Sequence, residues 1–141
     1  MTLLDEVREH AFELAPPMSV LGSMTTGSFD DAIVKIEDEG AFWWVVRERG
    51  VLFLSASPRD DADDLYDLAL ISRHLQLPGV PASSPEQSAS VKDLMAALQR
   101  FRRPVAAMFG SAAWASTRKN LLMLGRRMDF ERFGRPMPES K

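Results

Sequence analysis

The chain has no cysteine. That excludes a disulfide framework, a thiolate nucleophile and a cysteine-built metal site, and it fits a reducing cytoplasm, the compartment expected here. Histidine is nearly as scarce: His10 and His74 are the only two, and neither stands in a His-x-x-x-His or His-Glu pattern with ligand spacing. There is no Gly-x-Ser-x-Gly elbow, no phosphate-binding P-loop and no Gly-x-Gly-x-x-Gly turn, so the common nucleophile and nucleotide signatures are missing. A Ser–His pair can still meet in space, but the expectation is a protein that is not an enzyme and holds no cofactor or metal. The longest apolar runs are a few residues, far short of the roughly 20 that a membrane span needs. The opening residues lack the basic flank and apolar core of a secretory signal.

What is present is an ordinary globular composition with sorted charge. At 141 residues and 45% hydrophobic content, one α+β domain over 1–141 is expected. Residues 1–70 carry fifteen carboxylates against five Lys/Arg, a net of −10. Residues 71–141 carry twelve Lys/Arg against five carboxylates, a net of +7. The total of −3 hides this asymmetry, which reports on partners or on two halves covering each other rather than on fold.

Leu3, Leu4, Val7, Ala11 and Leu14 share one helical face, with Thr2 and Asp5 as a capping pair and Pro16-Pro17 as the stop. Residues 18–30 read as a loop or a short edge strand. Two short Gly-containing turns, 38–40 and 49–50, separate three β-rich runs within 31–56, the pattern of a three-stranded antiparallel meander. A second helix is expected over 61–77, after Pro58. Three prolines and three serines over 78–89 make a loop. Ser90 and Asp93 open a third helix striped by Val91, Leu94, Met95, Leu98 and Phe101. Pro104 is expected to break or kink it, leaving 105–109 as a short buried piece. A last helix is expected from Ala112 to Phe133, with Trp114, Leu121, Leu124 and Met128 inward, before a polar tail over 134–141. The meander would pack with the N-terminal helix and three C-terminal helices.

Three clusters invite a functional reading. Asp60, Asp61, Asp63 and Asp64 resemble the aspartate-rich DDxxD motif of isoprenoid synthases, but only over five residues and in a chain too short for that fold. The preferred reading is a helix start, with Asp60 or Asp61 as cap and Asp63 and Asp64 at the positive end of the dipole. Arg100, Arg102, Arg103, Arg118, Lys119, Arg126, Arg127, Arg132 and Arg135 could face phosphates. The acidic half would repel the same polyanion and no nucleic-acid-binding signature accompanies them, so a solvated basic face matched by the chain's own carboxylates is preferred. Trp43 and Trp44 point to opposite faces of one strand. Core packing is expected for both, with an interface role for one, Trp43, as the alternative.

The order helix, linker, aromatic-rich meander, helix over residues 3–77, with Gly40, Phe42-Trp43-Trp44 and Ser55-Ala56-Ser57, resembles small immunity proteins that protect bacteria from their own secreted toxins. The layout is similar to that of the immunity factor of the tuberculosis necrotizing toxin. The basic helical half has no counterpart there, so no functional residue is carried over. The resemblance implies a non-enzymatic inhibitor of a cognate toxin. An acidic surface independently suits such a role, because it would occlude and steer toward a basic active site. Its expected members are Glu37, Asp38, Glu39, Asp60, Asp61, Asp63 and Asp64, with Trp43 as the further partner-binding candidate. The first alternative is an effector chaperone of the type III secretion kind, and the second a nucleic-acid-binding module using the basic helices. The expected partner is a protein, a toxin, an effector or a second copy of the chain, with nucleic acid disfavoured and no membrane.

Overall fold

A computed structural model describes residues 2–25, 31–81 and 89–133, with side chains as far as Met128. The polar tail and parts of the 18–30 and 78–89 segments lie outside the described residues. Helix α1 (Leu3–Glu13) opens on a capping box in which Asp5 N–H donates to Thr2 Oγ1 at 3.1 Å and Thr2 N–H to Asp5 Oδ2 at 3.2 Å. Its buried stripe is Leu3, Val7 and Ala11.

Strands β1 (Ser19–Thr25), β2 (Ala32–Glu37), β3 (Phe42–Glu48), β4 (Val51–Ser57) and β5 (Tyr66–Asp67) follow. They pair antiparallel in the order β1-β2-β3-β4-β5. The meander is therefore five strands, not three. Residues 19–25 form an edge strand whose register shifts between Val20 and Gly22, and this bulge spoils the alternation that marks a strand. The β3–β4 hairpin closes through Arg49 and Gly50, with φ of 51° and 79°, the positive pair that a two-residue type I′ turn requires. Asp31 Oδ1 accepts from Arg49 N–H at 2.7 Å and holds that turn.

Helix α2 runs over Leu68–Leu75. The expected start at Asp60 or Asp61 is a correction: the N-cap is Asp67, whose carboxylate accepts from Ala69 N–H at 2.8 Å. Residues 58–64 instead make two successive turns, Asp61 N–H to Pro58 O and Asp64 N–H to Asp61 O. Tyr66 then pairs with Ala56 as strand, so the helix can begin only beyond it. Helix α3 (Val91–Phe109) has the Ser90–Asp93 capping box and continues through Pro104. Proline removes one backbone bond, and buried Val105 and Met108 beyond it hold the last turns in place. Helix α4 (Trp114–Phe133) buries Leu121, half-buries Trp114, Leu124 and Met128, and leaves Leu122 and Met123 exposed.

The fold is α+β, with four helices and a five-stranded antiparallel sheet among the described residues. One face of the sheet supplies the core: Ala32, Val34 and Ile36 from β2, Trp43 and Val45 from β3, Leu52, Leu54 and Ala56 from β4. Helices α1, α2 and α3 cover that face, and Leu121 of α4 joins the same cluster. Gly40 is where the β2–β3 turn meets α3. A Cβ there would lie 2.2 Å from the Ala106 methyl, so no larger residue fits without moving the helix.

Candidate functional site

Strand alternation that aims one row of side chains at the helices aims the next away from them. On the outward face the register sets Glu37, Phe42 and Ser57 in one row and Gly22, Lys35, Trp44 and Ser55 in the next. Met24, Ile33, Val46 and Phe53 form a third. Ile33, Phe42, Trp44, Val46 and Phe53 are all half-buried, and Leu21 and Met24 at the β1 edge are 50% and 59% exposed. No described helix packs on this face. An open groove of about 320 Å³ lies between Leu21–Met24, Ile33, Lys35 and Trp44.

The middle of the face is pinned by polar contacts. Trp44 Nε1 donates to Ser57 Oγ at 3.0 Å, fixing the indole plane. Lys35 Nζ stands 4.3 Å from the Phe42 ring centre and 5.0 Å from that of Trp44. Arg59 lies 4.6 Å over Phe42 and pairs with Glu37 at 2.8 Å. Cations over exposed rings contribute about 0.5–1 kcal/mol each, a bias toward these positions of Phe42 and Trp44.

The carboxylates read from the sequence separate into two groups. Glu37 is paired to Arg59. Asp38 takes a bidentate bond from Arg102, at 2.9 Å and 3.2 Å, with both side chains about nine-tenths buried. Asp64 pairs with Arg118 at 3.0 Å and accepts from the Tyr66 hydroxyl at 2.7 Å. The Asp38 and Asp64 pairs join the acidic half of the chain to the basic half. Glu39, Asp60, Asp61 and Asp63 are exposed and make no ion pair among the described residues. Arg59 Nη1 also donates to Asp38 O at 3.3 Å, which ties the 38–40 turn to the segment that opens at Pro58. The unpaired acids therefore sit around one end of the outer face.

Trp43 is corrected as a partner-facing residue. It is fully buried on the helix side, and Trp44 is the indole available at the surface. Phe42, Trp44, Ile33 and Met24 were missed as site residues, although the outward alternation of Phe42, Trp44 and Val46 was present in the sequence. Several of the basic residues are also used internally. Arg102 donates to Pro16 O and Gln99 besides Asp38, and Arg100 donates to Gly79 O. Burial, then the bond to Asp64, pushes the Tyr66 hydroxyl far above the usual phenol range. The same carboxylate, accepting from Arg118, raises that guanidinium further. Tyr66 stacks edge-on with Trp114 at 5.6 Å, and Trp114 with Phe109 at 4.9 Å, so the Asp64 cluster anchors α4.

Among the described residues no group of three or more His, Asp or Glu side chains could hold a metal ion, and no helix is long and apolar enough to cross a membrane. No protein-family model matches the chain, and neither a curated protein nor a solved structure matches it at a significant level.

Proposed function

We propose that this chain is a non-enzymatic protein-binding protein, an inhibitor of the toxin-immunity kind, and that it docks its partner on the outer face of the sheet. The observation that carries the reading is the uncovered face itself: aromatic and aliphatic side chains, Phe42 and Trp44 tethered by polar neighbours, with no described helix above them. Contiguous exposed apolar surface of this kind marks interaction sites, and tryptophan beside charged neighbours is a common binding anchor.

A polyanion suits the surface poorly. Glu39, Asp60, Asp61 and Asp63 border it unpaired, while Arg102 and Arg118 are engaged by the chain's own carboxylates. Among the described residues all five strands precede α2, and none follows it as the extra strands of the secretion-chaperone alternative would. Mixing the purified chain with the product of a neighbouring toxin gene tests the proposal. The expected result is a stoichiometric complex by size-exclusion chromatography with loss of the toxin's activity. A toxin that stays active at excess chain refutes it.

A further inference from the structure

The outer face is polarised along its strands. At one end lies the apolar row of Met24, Ile33, Val46 and Phe53; at the other the β2–β3 turn and the segment after Pro58 bring unpaired carboxylates to the rim. From Ile33 to Glu37 strand β2 advances four residues, about 13 Å. The cations on the face do not neutralise that rim. Lys35 is held over two rings and Arg59 is taken by Glu37.

Resting on the protein-binding reading above, we infer that the partner lays a polarised segment across this face. Its apolar side chain enters the groove at Met24, Ile33 and Trp44, and its lysine or arginine side chains meet Glu39, Asp60 and Asp61 toward the other end of the strands. Size supports the two-part contact. Four strands about 4.8 Å apart and about 20 Å long give roughly 400 Å² in projection, about half of what one partner contributes to a standard interface. The acidic rim supplies the remainder.

The face, rather than a sheet edge, is the docking element. Strand β1 carries the bulge at Leu21 and β5 has two residues, so neither edge offers a long regular ladder for an added strand. A second copy is a poor occupant. Stacked face to face about a two-fold axis, each copy would set its carboxylates over either the other's apolar row or the other's carboxylates, in both cases without a cation opposite.

The test pans a phage-displayed library of random 16-residue peptides on the full chain, then measures enriched peptides by fluorescence anisotropy. Enriched sequences are expected to carry an aromatic or aliphatic anchor and at least two Lys/Arg. Met24→Asp, at an exposed position, should weaken them at least tenfold, and the double variant Asp60→Lys, Asp61→Lys should do the same and shift the selected charge to Asp/Glu. Circular dichroism confirms that each variant is folded. The inference is overturned if no peptide is enriched, if enriched peptides lack basic residues, or if they ignore both variants. A concentration-dependent dimer that Met24→Asp dissociates also overturns it, in favour of a second copy. Failure of the inhibitor reading looks different: polarised peptides bind as expected while the neighbouring toxin is unaffected. A toxin complex indifferent to Met24→Asp and to the charge reversal overturns this inference and leaves the inhibitor reading standing.

Discussion

Replacing Arg102 by methionine should be among the most damaging single changes in α3. The guanidinium makes four hydrogen bonds, two to Asp38 and one each to Pro16 O and Gln99 Oε1. Methionine keeps much of the aliphatic stem but leaves the Asp38 carboxylate, 12% exposed, without its cation. Removing one partner of a buried ion pair costs about 3–5 kcal/mol. The partial solvent contact of Asp38 places the expected loss at the lower end, about 3 kcal/mol. For a chain of this length that lowers Tm by about 6–12 °C, and urea unfolding should show a midpoint lower by about 1.5 M at unchanged slope. The mechanism has a sharper signature in the double variant Asp38→Asn, Arg102→Met. Neutralising the orphaned carboxylate should return part of the loss, so the two changes together cost at least about 1.5 kcal/mol less than their sum. A loss under about 1 kcal/mol for Arg102→Met, or additivity within about 0.5 kcal/mol, would refute the claim that the pair acts as a buried unit.

Three other outcomes follow from the packing. Gly40→Ala drives a methyl into Ala106 and should cost about 1–3 kcal/mol by urea unfolding, partly recovered by Ala106→Gly. Trp43→Phe removes an indole N–H that is buried without a partner among the described residues; because that relief offsets lost volume, its cost should stay under about 1.5 kcal/mol, against about 3–5 for Trp43→Ala. Tyr66 has a folded-state pKa above its unfolded value, so its contribution is complete below about pH 10 and is lost as pH rises beyond that. The stability gap between the native chain and Tyr66→Phe should narrow by about 1.4 kcal/mol between pH 9 and pH 11, and a constant gap would contradict the assignment.

How much of this was legible depends on how local each cause is. The capping boxes at Thr2–Asp5 and Ser90–Asp93 were readable because donor and acceptor lie three residues apart. The central hairpins were readable from alternation and glycine turns. Strand β1 was obscured by its bulge, and β5 by being two residues long. The start of α2 was misplaced because Asp60, Asp61 and Asp67 have equal capping chemistry, and the choice among them is made by Tyr66 pairing with Ala56. Pro104 was given too much weight because Val105 and Met108 are held by distant residues. For the site, the sequence showed that Trp43 and Trp44 diverge but not which face the helices would take. Nor could it show that Asp38 and Asp64 are matched by arginines 64 and 54 residues away.

The helix layer also sets an order of events during synthesis. Strands β1 to β4 are complete when Ser57 leaves the ribosome, but α3, which covers β4, ends at Phe109, about fifty residues later. At about 5–20 residues per second that interval is about 3–10 s. Through it only α1, and then α2, can lie on the core side of the nascent sheet, so the part that α3 covers stays open there, while Phe53 and Trp44 stand on the other side. A chaperone meeting the chain in that window would find apolar surface on either side. Only after α3 docks is the choice reduced to one.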